Sequence, residues 1–267
     1  MIRASRNWVI AALTLVLVGC SSLATETPGS EASTGRSPNL MRVGIDPDYP
    51  PIAYKEDGKL QGIEVVLARQ MGRELGKDVE LVETPWEQLI PALNAGKIDV
   101  IMSGMSITEE RKRLVSFTEP YMRVGQMAII RSEDIGRLSS PRALYETPLR
   151  VGFVAGTTGA LFVESNLSRA QPVALKSGEA GIPALRAGQI DVFIHDAPTA
   201  WRLAADPMET EVVALYWPLT EEQLAWAVRK SDVQLRDELD AMIERWKKSG
   251  RLQATLNQWI PVRVEIK

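Results

Sequence analysis

Residues 90–100 read IPALNAGKIDV and residues 182–192 read IPALRAGQIDV, so that nine of the eleven positions are identical. A shorter pair precedes them: residues 42–45 read RVGI and residues 150–153 read RVGF. An internal repeat of this kind indicates that the chain contains two similar structural units in tandem.

Both copies predict the same local structure. The first stretch of each unit is short and apolar, which is typical of a buried strand. The longer stretch predicts a helix that ends at a glycine, Gly96 or Gly188, followed by a second strand at residues 98–102 or 190–194. Continuous apolar runs suit strands that are covered on both faces of a parallel sheet. We therefore expect an α/β fold with two similar lobes; a single α/β domain with a chance repeat is the alternative.

Polar residues follow each of these four predicted strands. In open α/β sheets, ligands bind beyond the carboxyl ends of the strands. If the two lobes face each other, one cleft is lined by the loops at residues 46–49, 103–106, 155–159 and 195–196. The repeat alone therefore predicts where a small molecule binds.

The composition restricts the possible functions. The chain has 267 residues, of which 45% are hydrophobic and 24% charged, and its net charge is −3. These values are typical of a folded globular protein and exclude collagen-like, disordered and disulfide-rich classes. With 31 Lys and Arg against 34 Asp and Glu, the chain lacks the basic excess that nucleic-acid binding needs. One cysteine, Cys20, and one histidine, His195, cannot build a zinc site, so we expect neither a metal nor a cofactor.

The N-terminus has the pattern of an export signal. Arg3 and Arg6 precede an apolar run at residues 8–18. A helix of this length spans only about half of a ~30 Å hydrocarbon core, which is too short for a transmembrane helix. Residues 1–19 are therefore interpreted as a secretory signal peptide, with a buried N-terminal helix as the alternative.

The end of this segment suggests a lipid anchor. Residues 17–20 read LVGC, which resembles the lipobox of bacterial lipoprotein precursors. The resemblance implies cleavage before Cys20 and a diacylglycerol on its sulfur, which attaches the exported chain to a membrane. Residues 21–39 are rich in Ser, Thr, Gly and Pro and nearly free of apolar side chains, so they cannot bury enough surface to fold. We expect residues 20–39 to be a flexible tether.

Six stretches beyond the tether form a specific combination. They lie at residues 46–51 (DPDYPP), 86–100, 103–111 (SGMSITEER), 117–121 (FTEPY), 151–158 and 188–196. Together they resemble bacterial extracellular solute-binding proteins of family 3, the polar amino-acid receptors of ABC importers. The resemblance runs from about Met41 to Ile260, and the sequence departs from the family pattern at Ile52, where Phe is usual, and at Val66, where an acid is usual.

The resemblance implies a two-lobed, periplasmic-binding-protein-like fold of type II. Two hinge strands would join the two α/β lobes, with the ligand cleft between them. Lobe 1 is expected at residues 40–124 and 226–267, and lobe 2 at residues 125–225.

The same resemblance implies where the chain passes between the lobes. It would cross outward at residues 126–131 and return at residues 224–230. The last two helices, at residues 232–248 and 252–259, would then pack on lobe 1.

The resemblance also assigns the groups that hold an amino-acid zwitterion. Arg111 matches the family's carboxylate-binding arginine, near the start of a helix that Ser106 or Thr108 would cap. Spacing alone favours the alternative, a surface arginine paired with a neighbouring glutamate. Asp196, which ends a predicted strand of lobe 2, matches the ammonium-binding aspartate; its alternatives are a solvated loop carboxylate and a helix N-cap.

Other side chains are assigned to the walls of the cleft. Thr157 and Thr158 resemble the positions that complete the carboxylate site, and Tyr49 and Trp86 match the positions that flank the ligand side chain. Trp86 also belongs to an i, i+3, i+4, i+7 apolar stripe, so that a core role is its alternative. His195 is expected to be a strand-end residue beside the site rather than a catalyst. The full set of predicted ligand-binding residues is Asp46, Tyr49, Trp86, Ser103, Gly104, Ser106, Arg111, Val154, Thr157, Thr158 and Asp196.

These assignments predict a binding protein that is not an enzyme. It would capture an amino acid by lobe closure and deliver it to the permease of an ABC importer in the inner membrane. We expect a monomer in the periplasm or at the cell surface, held to the membrane by lipid on Cys20. Two alternatives stay open: a periplasmic enzyme on the same fold, similar to prephenate or arogenate dehydratases, and a solute receptor for a sensor kinase.

The class of ligand is predicted from the positions that resemble side-chain contacts, Asp46, Tyr49, Glu64, Trp86 and Val154. None of them carries positive charge, so an acidic side chain would lose its hydration without gaining a partner. A cationic or amide side chain could donate to Asp46 while it stacks between Tyr49 and Trp86. The predicted order is basic or amide first, apolar second and acidic last.

Overall fold

The structure, a computed structural model, describes residues 39–260, apart from the side chain of Ala204. The predicted signal peptide, the predicted lipid site at Cys20 and the tether up to residue 38 lie outside the described residues. Within residues 39–260, no helix has the length and apolar character that crossing a membrane requires.

Strands and helices alternate along most of the described chain. The strands are β1 (Leu40–Ile45), β2 (Asp48–Tyr49), β3 (Ala53–Glu56), β4 (Lys59–Gln61), β5 (Asp78–Glu83), β6 (Val100–Ile101), β7 (Ser116–Phe117), β8 (Met122–Val124), β9 (Gln126–Arg131), β10 (Arg150–Val154), β11 (Gln171–Leu175), β12 (Val192–Asp196), β13 (Val212–Ala214), β14 (Glu222–Leu224) and β15 (Ala227–Val228). The helices are α1 (Ile63–Leu75), α2 (Leu89–Asn94), α3 (Glu109–Leu114), α4 (Ile135–Leu138), α5 (Pro141–Glu146), α6 (Thr158–Asn166), α7 (Gly181–Arg186), α8 (Ala197–Ala205), α9 (Val233–Lys248) and α10 (Arg251–Trp259).

Two five-stranded sheets form the centres of two lobes. The sheet of lobe 1 has the strand order β5-β1-β6-β15-β7, and the sheet of lobe 2 has the order β11-β10-β12-β9-β13. In each sheet the first three strands of this order are parallel. In lobe 1, β15 comes from a later part of the chain and pairs with β6 in antiparallel orientation. In lobe 2, β9 comes from an earlier part of the chain and pairs with β12 in antiparallel orientation. The two lobes therefore share one arrangement, which confirms the predicted two-lobed α/β fold.

The repeated residues build the same ion pair in both lobes. In lobe 1, Arg42 at the start of β1 donates from Nε and Nη2 to the carboxylate of Asp99 at 3.1 and 3.0 Å, and from Nη2 to the carbonyl oxygen of Gly96 at 2.6 Å. In lobe 2, Arg150 makes the equivalent contacts with Asp191 and with the glycine carbonyl after α7. The hydrogen bonds from Arg150 lower the pKa of Asp191 to about 2. The arginine and the aspartate of the repeat thus hold the first strand of each lobe against the turn that precedes the neighbouring strand, which is β6 in lobe 1 and β12 in lobe 2.

The C-terminal helices belong to lobe 1, as predicted. Leu239, Met242 and Trp246 of α9 lie in the same apolar cluster as Val43 of β1. Gly250, with φ of 74°, makes the left-handed turn between α9 and α10. The observed helices start or end within one residue of the predicted bounds.

The two crossings between the lobes lie earlier in the chain than predicted. The segments β8 and β14 form a two-stranded antiparallel ladder, with Val124 opposite Glu222 and Met122 opposite Leu224. The predicted outward crossing at residues 126–131 is wrong, because these residues form β9, an interior strand that pairs with both β12 and β13. The predicted return crossing likewise falls too late, since Ala227–Val228 already pairs within the sheet of lobe 1. Burial inside a sheet explains why the segment at 126–131 is so apolar.

Candidate functional site

A cleft of about 420 Å³ lies between the two lobes. Its size lies in the range of small-molecule sites in proteins. Ten of the eleven predicted ligand residues line it. The exception is Ser103, which is buried and whose Oγ accepts a hydrogen bond from the backbone N of Asp46 at 2.9 Å. The four loops that the repeat singled out meet at this cleft.

Arg111 lies in the cleft and not on the surface. Thr108 caps α3, since its Oγ1 accepts a hydrogen bond from the backbone N of Arg111 at 3.1 Å. The guanidinium is buried and donates from Nη1 to the carbonyl oxygen of Ser106 at 2.8 Å. The alternative of a surface arginine paired with a glutamate is therefore wrong; Glu109 pairs instead with Lys112 at 2.8 Å. Burial lowers the pKa of Arg111, but a guanidinium keeps its proton in proteins.

One carbonyl group of lobe 2 receives hydrogen bonds from two side chains of lobe 1. The oxygen of Gly156 accepts from Arg111 Nη2 at 3.1 Å and from Trp86 Nε1 at 3.0 Å. Cζ of Arg111 lies 5.0 Å from the centroid of the Trp86 ring, which is a cation–π contact. Trp86 also packs against the core cluster that contains Leu89. Its core role and its place in the cleft are therefore compatible.

Asp196 faces Arg111 from the other lobe. Its Oδ2 accepts a hydrogen bond from Tyr49 Oη at 2.7 Å, and its Oδ1 accepts one from Gln126 Nε2. Burial, and next the charge of Glu222, raise the pKa of Asp196 to about 6, although both hydrogen bonds act in the opposite direction. Asp196 occupies the N-cap position of α8, but its side chain makes no capping hydrogen bond there. The carboxylate therefore points to the cleft rather than serving the helix.

Tyr49 lines the cleft beside Asp196. Its ring lies against Gly104, where an added Cβ would come within 2.6 Å of Tyr49 Cε1 and where φ is 65°. The ring also makes an edge-on contact with His195, with the centroids 5.1 Å apart. Burial lowers the pKa of His195 to about 4, so that the imidazole is neutral near pH 7. Its position near the end of β12, beside Asp196, agrees with the predicted strand-end role.

Two threonines of lobe 2 line the cleft at the start of α6. Thr157 caps α6, since its Oγ1 accepts from the backbone N of Ala160 at 3.2 Å and donates to the carbonyl oxygen of Val154 at 2.7 Å. Oγ1 of Thr158 accepts from Gln126 Nε2 at 3.0 Å. The first turn of α6 therefore opens onto the cleft.

The two acids of lobe 1 that were expected near the ligand side chain differ in position. Asp46 lines the cleft, and burial, together with the charge of Asp48, raises its pKa to about 6. Glu64 does not line the cleft: it is fully buried in the first turn of α1 and accepts a hydrogen bond from the backbone N of Gly104 at 3.3 Å. Burial raises the pKa of Glu64 to about 8. The predicted contact of Glu64 with a ligand is therefore wrong.

The sequence interpretation missed five polar residues at or beside the site. Gln126 is the first residue of β9 and Glu222 the first residue of β14. Neither follows a strand of the internal repeat, so a comparison of the ends of the repeated strands could not find them. Lys176 lines the cleft in the loop that follows β11. Glu87 and Gln88 line it after β5, the equivalent strand of lobe 1. Lys176, Glu87 and Gln88 would have been found if the rule about strand ends had been applied to all six parallel strands.

Together, these features define a two-lobed receptor for a small polar solute, with a cation on one wall of the cleft and an anion on the other. The chain belongs to the bacterial extracellular solute-binding proteins, family 3, since the model of that family matches residues 41–262. Membership makes it an exported, solute-binding protein.

Individual relatives cover most of the chain. The L-cystine-binding protein TcyJ of Escherichia coli is 27% identical over 220 residues, which is 82% of each chain. The L-arginine-binding protein of Pseudomonas aeruginosa is 30% identical over 223 residues, which is 79% of this chain and 84% of the relative. The crystal structure of a binding component of an ABC transporter from Wolinella succinogenes, complexed with lysine, has a TM-score of 0.80 at 29% identity and covers 85% of this chain and 98% of that one. This likeness confirms the predicted type II periplasmic-binding-protein-like fold.

Proposed function

We propose that the chain captures an amino-acid zwitterion between its lobes and delivers it to the permease of an ABC importer. The observation that carries the proposal is that Arg111 of lobe 1 and Asp196 of lobe 2 line the same cleft. A ligand that bridges them gains contacts in the closed state that the open state lacks, and this difference in affinity drives closure.

The existing contacts support specific roles for both groups. Arg111 Nη2 donates to the neutral carbonyl of Gly156, and a ligand carboxylate would be a stronger acceptor because the hydrogen bond would then be charge-assisted on both sides. Backbone N–H groups at the first turn of α6, around Thr157 and Thr158, would complete this subsite. The ammonium group would lie against Asp196, with the hydroxyl of Tyr49 holding the carboxylate in place.

The charges of the cleft support a basic or amide side chain first, an apolar one second and an acidic one last. The lining contains four acids, Asp46, Asp48, Glu87 and Asp196, and two cations, Arg111 and Lys176. Because Arg111 would serve the ligand carboxylate, Lys176 alone is left for an acidic side chain, and it is solvent-exposed. An exposed ammonium is hydrated and contributes little to binding. The relatives named for arginine and cystine, and the lysine complex, support a polar ligand.

Titration calorimetry with the twenty amino acids and cystine tests the proposal. We expect Arg111→Ala and Asp196→Ala each to weaken the best ligand by at least ~100-fold, because each change leaves a buried ligand charge without its partner. Arg113→Ala and Glu221→Ala remove charges of the same sign from exposed positions and serve as controls. Wild-type affinity in Arg111→Ala or Asp196→Ala would exclude the zwitterion site, and glutamate or aspartate as the tightest ligand would refute the order of ligands.

We propose a lobe 1 of residues 40–124 and 226–267 and a lobe 2 of residues 125–225. The membership of strands in the two sheets supports these bounds, as does the packing of α9 and α10 against lobe 1. The ladder of β8 and β14 would then be the hinge.

We also propose that Cys20 carries a lipid and that residues 20–39 tether the lobes to a membrane. The apolar run at residues 8–18 and the LVGC sequence at residues 17–20 support this. In a bacterial host, Cys20→Ser should leave the membrane fraction, whereas the wild type should remain there. A wild-type protein whose mass shows no lipid on the peptide that begins at Cys20 would contradict the proposal.

A further inference from the structure

Glu222 lies on the hinge strand β14 and connects three side chains. Its Oε2 accepts a hydrogen bond from Ser106 Oγ at 2.6 Å. Its Oε1 accepts from Thr220 Oγ1 at 2.7 Å and from Gln126 Nε2 at 3.2 Å. Glu222 is not among the residues that line the cleft, so it acts on a ligand only through its neighbours.

Gln126 continues the chain of hydrogen bonds into lobe 2. It is the first residue of β9, its side chain is buried, and its backbone N donates to Thr220 Oγ1 at 2.8 Å. Its Nε2 carries two hydrogens and lies within hydrogen-bond distance of three acceptors, Asp196 Oδ1, Thr158 Oγ1 and Glu222 Oε1, so that one hydrogen is shared between two acceptors. One carboxamide therefore holds the acid of lobe 2 and the acid of the hinge at the same time.

The connection runs from one charged wall of the cleft to the other. Ser106, whose carbonyl oxygen holds Arg111, donates to Glu222; Glu222 accepts from Gln126; and Gln126 donates to Asp196. The cation of lobe 1 and the anion of lobe 2 are thus linked through the hinge by hydrogen bonds, of which the first is to the backbone carbonyl of Ser106 and the others join side chains.

We propose that Gln126 and Glu222 form a relay at the hinge that positions the carboxylate of Asp196 and ties it to Ser106 beside Arg111. Both are positioning residues: Gln126 orients the carboxylate, and Glu222 holds the carboxamide of Gln126. The relay rests on the proposed function in one respect, which is the assignment of Asp196 as the partner of the ligand's ammonium group.

The two members of the relay act on Asp196 with opposite sign. The charged and titratable groups that face Asp196 are Tyr49, Arg111, Tyr121 and Glu222. Among the causes that shift the pKa of Asp196, the negative charge of Glu222 raises it and the hydrogen bond from Gln126 lowers it. Removing one member or the other should therefore move the titration of Asp196 in opposite directions, which no general loosening of the structure would do.

The test is an NMR titration of the side-chain carboxyl carbon of Asp196 in the ligand-free protein, assigned with Asp196→Asn. The wild-type midpoint should lie near pH 6. Glu222→Gln should lower it by roughly 0.5–1 unit and Gln126→Met should raise it by a similar amount. Glu221→Gln is the matched control, because Glu221 is the exposed neighbour of Glu222 and the same charge is removed outside the relay.

The proposal is overturned if the midpoint shifts in the same direction in both relay variants. It is also overturned if the midpoint shifts in neither of them. Equal shifts in Glu222→Gln and Glu221→Gln also overturn it, because they indicate a general effect of charge. If Glu222→Gln does not fold, the direction of the shift in Gln126→Met decides alone. Calorimetry at pH 8, where Asp196 is ionised, should show roughly tenfold weaker amino-acid binding in Gln126→Met. If no amino acid binds the wild type at any pH, the proposed function fails, while the titration still tests the relay.

Discussion

Glu64 offers the sharpest physical test of the structure. Its side chain is fully buried, and within residues 39–260 the backbone N of Gly104 is the hydrogen-bond donor that reaches it, at 3.3 Å. The hydroxyl of Tyr121 lies close enough to the carboxyl to lower its pKa, as does the backbone N of Gly104, but both effects are smaller than that of burial. Burial dominates and raises the pKa of Glu64 from 4.5 to about 8, so that the group is mostly protonated at pH 7. The perturbation we consider is Glu64→Gln, which fixes the side chain in a neutral form of the same shape.

The sign of the pH dependence follows from the number of bound protons. Between pH 4.5 and pH 8 the folded chain binds a proton at Glu64 that the unfolded chain has lost, so stability falls as the pH rises through this window. Asp46 and Asp196, each with a pKa of about 6, also make the free energy of unfolding fall as the pH rises, mainly below pH 6. His195, whose pKa is lowered from 6.5 to about 4, makes the free energy of unfolding rise with pH below pH 6.5. Glu64 therefore dominates between pH 6.5 and pH 8, where it accounts for a loss of about 1.6 kcal/mol of unfolding free energy.

Urea unfolding followed by tryptophan fluorescence at pH 6.5, 7.25 and 8 measures this loss. The wild type should lose about 1.6 kcal/mol across the series, and Glu64→Gln should be nearly flat. Glu80→Gln makes the same chemical change at an exposed position of β5 and should keep the wild-type slope. If Glu64→Gln showed the same slope as the wild type, Glu64 would be ionised in the folded protein and the assignment of a neutral buried carboxyl would fail.

Three further predictions follow from the described contacts. Amino-acid affinity should fall as the pH drops below about 6, because protonation of Asp196 removes the anion that faces the ammonium group; calorimetry at pH 7.5 and pH 5 measures this, and equal affinities would argue against Asp196 as the partner. Arg42→Ala should lower the unfolding free energy by about 1–3 kcal/mol, since it removes two charge-assisted hydrogen bonds from Asp99 while Arg229 Nη2 stays 3.3 Å from Asp99 Oδ1; an unchanged urea midpoint would show that the ion pair with Arg42 is dispensable. Gly104→Ala should weaken ligand binding, because its Cβ at a φ of 65° would displace the ring of Tyr49, and wild-type affinity in this variant would contradict the close packing.

The sequence predicts the scaffold well because the same residue types make the same contacts in both lobes. Arg42 and Asp99 in lobe 1 need one another at a fixed spacing, and Arg150 and Asp191 repeat the requirement in lobe 2. A pattern that is required in two places appears as an internal repeat, and the rule about strand ends then leads to the cleft.

The remaining parts of the site depend on contacts between distant parts of the chain. Gln126 looks like one more polar residue before an apolar strand, and its role depends on Glu222, which is 96 positions away. The burial of Glu64 depends on the packing of α1 against the loop that contains Gly104, which no local pattern encodes. Both therefore escaped detection, one as a missed site residue and the other as a wrongly assigned ligand contact.

The charges of the site arise where the two lobes stop resembling each other. After β6 the chain continues through Gly104 and Ser106 into α3, and this segment brings Arg111 to the cleft. After β12, the equivalent strand, the chain turns at once into α8, and Asp196 stands at that turn. Two identical lobes facing each other would present the same charge to both ends of a ligand, whereas a zwitterion carries opposite charges and needs two unlike half-sites. The repeat therefore accounts for the two strand ends that meet at the cleft, and the divergence of the segments beyond them accounts for the cation on one wall and the anion on the other.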